Sequence, residues 1–176
     1  MDGFPDDILL NNGNFHKWRN QKYKDKCLFG IYYLCRKRKR EQDQDGNKVS
    51  SKDLLGKKTI IYFYPKDNTS GCTAEACNIR DNFEALKTRG YNVVGVSKDS
   101  AASHRKFKDK YELPFTLLSD TSTQMLQTFG AWGEKKMYGK TVMGTIRKTF
   151  IFDEEGILTE IIEKVDTRNH AAQILG

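Results

Sequence analysis

No run of apolar residues in this chain is long enough to cross a membrane as a helix. The longest, residues 27–35 (CLFGIYYLC), has nine residues, whereas a spanning helix needs ~18 or more. Proline is scarce, three in 176 residues, while aromatics make up 11%; a disordered chain shows the opposite bias. Four cysteines are too few to staple a small secreted scaffold. No repeat and no low-complexity tract interrupts the sequence, and no small-residue cleavage site follows the apolar stretch, as a secretory signal would require. What is left is a soluble, globular chain of one domain, 38% hydrophobic and 30% charged.

Acidic residues are missing from one segment. Residues 15–40 carry ten of the thirty Lys and Arg residues but a single acid, Asp25. That stretch therefore holds more positive charge than the +7 of the whole chain, and the remainder is slightly acidic. Residues 36–40 are an unbroken RKRKR, with Arg36 and Arg40 at its ends. Such a run is most simply a solvated arm, and it also admits contact with nucleic acid or an anionic membrane. The charge break is a boundary signal between a basic N-terminal segment and the body of the chain.

Past residue 45 the pattern is that of an α/β layer structure. Residues 43–47 (DQDGN) read as a turn. Residues 59–64 (TIIYFY) are β-branched and aromatic with almost no polar break, as in a strand buried on both faces; Pro65 ends it. Residues 72–89 predict one helix, because Cys72, Ala76, Ile79, Phe83 and Leu86 recur at helical spacing. Residues 92–97 form a second strand, 100–112 a helix capped by Ser100, 115–118 a third strand and 123–129 a short helix. Residues 131–144 read as a long loop punctuated by Gly133, Gly139 and Gly144. Residues 148–152 and 158–165 read as a hairpin around the DEEG turn, and 167–175 as a closing helix.

The chemistry sits at Cys72. It follows a loop after a buried strand and opens a helix, where unpaired N–H groups and the helix dipole favour a thiolate. Gly71 lets the backbone approach closely. The Thr69 hydroxyl, three residues upstream, can fold back onto the sulfur or onto a substrate oxygen. Cys77 lies five residues on. On an intact helix the two Cα atoms would be roughly 8–9 Å apart, beyond disulfide reach, so a bond between them requires the first turns to unwind. The plainer alternative is that both cysteines are small core residues. A metal site lacks third and fourth ligands nearby, since His104 and His170 show no pairing pattern, and the C-x-x-C of a dithiol oxidoreductase is absent.

Residues 62–77 (YFYPKDNTSGCTAEAC) closely resemble the active-site segment of the peroxiredoxins, in the subgroup called bacterioferritin comigratory protein or peroxiredoxin Q. The P-x-x-x-T-x-x-C element stands here as Pro65, Thr69 and Cys72. The similarity continues through residues 92–100, 113–120, 129–140 and 144–156 and covers about three-quarters of the chain. It implies a thioredoxin-like fold, a single domain with a central mixed β-sheet flanked by helices, and a thiol peroxidase acting on hydrogen peroxide and organic hydroperoxides. It further implies Cys72 as peroxidatic cysteine, Pro65 as its shield, and Thr69 as a hydrogen-bonding group for thiolate and substrate. Arg147 polarises the peroxide, Glu75 orients the arginine, and Cys77 is the resolving cysteine of an intramolecular Cys72–Cys77 disulfide. The implied reductant is thioredoxin and the implied assembly a monomer, with no metal or other cofactor. A reducing cytoplasm suits such thiols. Lys66 and Lys135 read as solvated.

The resemblance fails upstream, which implies two parts: a basic N-terminal segment, residues 1–44, and a thioredoxin-like peroxiredoxin domain, residues 45–176. Where the family carries a short A-P-x-F element and a strand, this chain has residues 36–42 (RKRKREQ). Either the domain lacks that strand or residues 29–34 replace it. Cys27 and Cys35 fall outside the family pattern and read as incidental thiols. Two other functions compete: a non-enzymatic binding protein that uses the basic arm on an inactive peroxiredoxin domain, and a general disulfide oxidoreductase.

Overall fold

A computed structural model of the chain describes residues 41–137 and 139–176. The expectations for the basic run and for residues 29–34 lie outside these residues. Nine strands and five α-helices are described: β1 (Glu41–Asp43), β2 (Lys48–Val49), β3 (Lys58–Phe63), α1 (Ser70–Asp81), α2 (Phe83–Thr88), β4 (Tyr91–Ser97), α3 (Ala101–Tyr111), β5 (Thr116–Ser119), α4 (Gln124–Thr128), β6 (Trp132–Met137), β7 (Lys140–Thr145), β8 (Lys148–Phe152), β9 (Leu158–Ile162) and α5 (His170–Leu175). Seven strands form one sheet in the order β2-β1-β5-β4-β3-β8-β9. β3 pairs in parallel with β4 and antiparallel with β8, and β4 pairs in parallel with β5. The sheet is mixed, with helical crossovers joining its parallel strands.

β3 lies at the centre because its residues are apolar on both faces. Ile60, Tyr62 and the following Tyr64 pack on one side with Cys72, Ala76, Ile79, Leu86 and Phe107. Ile61 and Phe63 pack on the other with Met125, Leu126, Phe129 and Phe150. The two-residue period of a strand thus divides one run into two cores.

The structure changes several expectations. The single helix of residues 72–89 begins earlier, at Ser70, and is broken at Asn82, which has non-helical angles (φ −107°, ψ 12°). The Asn82 side-chain amide donates to Asn78 O at 2.8 Å, and such a local side-chain bond competes with helix continuation. Residues 131–144 are not a loop. Residues 132–137 and 140–145 build the β6–β7 ribbon, with Gly133 opposite Gly144 and Gly139 at φ +76° between the strands. Lys135 is not simply solvated, since its Nζ donates to Thr145 O at 3.3 Å. β9 stops at Ile162, and α5 starts at His170. The folded unit also reaches upstream of residue 45. β1 pairs with β5, and the Gln44 side-chain oxygen accepts from the Leu117 amide at 3.0 Å. A strand therefore stands within the register where the family pattern was lost. The Ser100 cap is present, accepting from the Ser103 amide at 3.3 Å.

Candidate active site

β3 delivers the chain into a loop, residues 64–69, that turns into α1. Thr69 is the N-cap residue, so Cys72 is the third residue of the helix. The first helical hydrogen bond runs from Thr73 N to Thr69 O, 2.8 Å, which leaves Cys72 in the turn where amide protons accumulate. Its side chain is about 1% exposed. Cys72 and Cys77 are both free thiols, and Cys77 is half-buried.

Arg147 reaches this sulfur from the junction of β7 and β8. Its Nη2 donates to Cys72 Sγ at 3.1 Å, and its Nη1 donates to Glu75 Oε2 at 2.5 Å. Cys72 and Glu75, three apart on α1, share a helix face, so one guanidinium fork spans both. Gly71 is what lets it in: a Cβ there would lie 3.0 Å from Arg147 Nη2. Glu75 is wholly buried, and its other oxygen lies 3.1 Å from His170 Nδ1. His170 Nε2 is 2.8 Å from Thr149 Oγ1. Sulfur, guanidinium, carboxylate, imidazole and hydroxyl form one chain of contacts across α1, β8 and α5.

A second buried set braces the loop itself. Asp67 Oδ1 accepts from the Tyr64 hydroxyl and Oδ2 from the Ser103 hydroxyl, each at 2.7 Å. His104 Nδ1 lies 2.9 Å from Oδ2, and its Nε2 donates to Leu118 O at 3.1 Å. The Asp67 amide donates to Asp99 Oδ2 at 2.9 Å, which also accepts from the Ser97 hydroxyl. Burial pushes the Asp67 carboxyl up, but His104, Ser103 and Tyr64 together outweigh it and hold the carboxyl below its ordinary value. Beneath the site, burial together with the charges of Glu75 and Cys72 raises the Tyr62 phenol well above its usual value, so the ring stays neutral.

Of the residues singled out in the sequence, the structure brings Cys72, Glu75 and Arg147 into contact. The Thr69 hydroxyl is exposed and donates to Lys66 O at 3.1 Å, back into its own loop. Pro65 is half-buried, two residues past the end of β3. His170, Asp67 and His104 were not singled out for this chemistry. Their partners come from distant segments, and only their burial, which the sequence does not display, marks them.

A thioredoxin-like sheet whose helix start presents a buried cysteine to an arginine defines a thiol-based peroxidase. The chain belongs to the AhpC/TSA family, which it matches over residues 36–161. It is 46% identical over 132 residues to a putative peroxiredoxin bcp of Coxiella burnetii, covering 75% of this chain and 87% of that one. It is 42% identical over 133 residues to peroxiredoxin Bcp of Escherichia coli, covering 76% and 85%. Among solved structures it resembles the Xanthomonas campestris bacterioferritin comigratory protein, described for its alkyl peroxide reduction activity. That match has a TM-score of 0.72 at 34% identity and covers 77% of this chain and 87% of that one.

Proposed function

We propose that this peroxidase works through Cys72 as peroxidatic and Cys77 as resolving cysteine, on hydrogen peroxide and organic hydroperoxides, with thioredoxin as reductant. The observation that carries the reading is the 3.1 Å contact from Arg147 Nη2 to Cys72 Sγ, made by a residue far away in sequence. A guanidinium at that distance is positioned for charge that develops on a peroxide oxygen. The thiolate lone pair forms an S–O bond as the O–O bond breaks. The departing oxygen takes a proton, leaving as water or an alcohol, and Cys72 becomes a sulfenic acid. The Cys77 thiol then displaces the sulfenic oxygen as water and forms the disulfide. A thioredoxin dithiol returns two electrons through a mixed disulfide.

Pro65 shields the sulfur in this scheme, Glu75 fixes the arginine, and the Thr69 hydroxyl turns from Lys66 O toward the bound peroxide. Cys77 reaches Cys72 when the first turns of α1 unwind. The protein acts as a monomer in a reducing cytoplasm. No helix among the described residues is long and apolar enough to cross a membrane. The intact Cys72–Arg147–Glu75 geometry supports an active domain over a binding protein built on an inactive one.

Thioredoxin-coupled peroxide consumption tests this. Cys72→Ser abolishes turnover; Cys77→Ser allows one oxidation per chain and then stops. Undiminished turnover in the first variant removes the peroxidatic assignment, and in the second the resolving one.

A further inference from the structure

The two oxygens of Glu75 face different partners. Oε2 meets Arg147 Nη1 at 2.5 Å, while Oε1 lies 3.1 Å from His170 Nδ1. Both Glu75 and His170 are wholly buried. The histidine contact is short but off the line of a hydrogen bond, so it acts by occupying the space beside Oε1. The ring is fixed from two other directions. Thr149 Oγ1 sits 2.8 Å from Nε2, and the Tyr62 ring stands edge-on with centroids 5.9 Å apart. Thr149 lies two residues after Arg147, which puts both on one face of the strand direction. The segment that supplies the arginine thus also steadies the histidine.

A carboxylate free to turn closes on a guanidinium as a two-point fork. Here such a fork would pull Arg147 Nη2 off Cys72 Sγ and onto Glu75 Oε1. His170 stands at that oxygen. We infer that His170 is a positioning residue for the peroxidase reaction. By engaging Oε1 it restricts Glu75 to a one-oxygen contact with Arg147, which leaves Nη2 on the reactive sulfur. The inference rests on the reading of Cys72 as peroxidatic. It gives α5 a part in the chemistry, since that helix begins at His170.

The test uses the full chain and one equivalent of hydrogen peroxide, following the rate of Cys72 oxidation across pH beside thermal unfolding of each variant. His170→Leu fills the site without a polar atom, and its rate falls between about tenfold and about a hundredfold, the usual result of a misplaced catalytic group. His170→Asn, which keeps a polar group beside Oε1, recovers part of the rate. The double variant Glu75→Gln with His170→Leu is no slower than Glu75→Gln alone, because His170 acts only through Glu75. A merely structural role would instead give additive losses that follow the unfolding temperature. A wild-type rate in His170→Leu, or additive losses in the double variant, overturn the inference. Should His170→Leu not fold, His170→Asn and its double variant with Glu75→Gln decide by the same two criteria. A wild type that leaves the peroxide unconsumed overturns the peroxidase reading itself and is told apart because every variant is then silent.

Discussion

Arg147 binds with two nitrogens to two different acceptors, a demand that only a planar fork meets. Lysine keeps the charge but has one point to offer, so it reaches Glu75 or Cys72 and not both. Arg147→Lys is therefore expected to slow Cys72 oxidation by about a hundredfold, the scale of losing one oriented donor, with the fold intact by circular dichroism. A rate within about threefold of the wild type would show that charge alone suffices, outside the oriented-donor range. Asp67 makes a different prediction. Its carboxyl lies below the ordinary value in the folded protein despite burial, because His104, Ser103 and Tyr64 favour the charged form. A lowered folded-state value contributes stability that is present above the unfolded value and is lost as pH falls through the folded one. Asp67→Asn should then cost about 1–3 kcal/mol near neutral pH, as for a buried network left partly unsatisfied. The gap to the wild type should narrow once pH drops below about 4, the unfolded Asp value. Urea unfolding at several pH values measures it, and a gap that stays constant with pH would refute the ionic contribution.

Among the elements, the proposed cycle asks α1 to be stable in the reduced state and to yield in the oxidised one. Its Asn78 side chain clamps the approach to α5, donating to Arg168 O and accepting from the Ala171 amide, each at 2.8 Å. Asn78→Ala removes both bonds without touching Cys72, Cys77 or Arg147. It should lower stability by about 1–2 kcal/mol and speed formation of the internal disulfide, because α1 then unwinds more readily. Slower disulfide formation after a normal first oxidation would contradict this. The elements that the sequence reveals are those with a strong burial pattern. β3 and β4 show themselves as apolar runs because both faces are covered, and α3 by its Ser100 cap. The break at Asn82 hides because helical spacing continues across it. The β6–β7 ribbon hides because a two-stranded ribbon carries little alternation, and its three glycines imitate a loop. At the site, Cys72 is legible from local position alone and Arg147 only through family resemblance. His170 and the Asp67–His104 pair form across distant segments that no local pattern connects.

For the whole molecule, the proposed cycle keeps the central sheet as a fixed frame and changes α1. The strand pairing β2-β1-β5-β4-β3-β8-β9 does not include α1, so oxidation should leave it intact. Hydrogen exchange after oxidation should show protection lost across residues 70–81 and kept in β3, β4 and β8. Loss spread over the sheet would mean general unfolding. The central claim is that Cys72 is oxidised by peroxide and captured by Cys77, and disulfide mapping tests it most directly. Reduced protein is mixed with one equivalent of hydrogen peroxide and its peptides are analysed by mass spectrometry beside Cys72→Ser. The account predicts rapid formation of a Cys72–Cys77 bond that is absent from the variant. Slow oxidation, or disulfides made instead by Cys27 or Cys35, would contradict it.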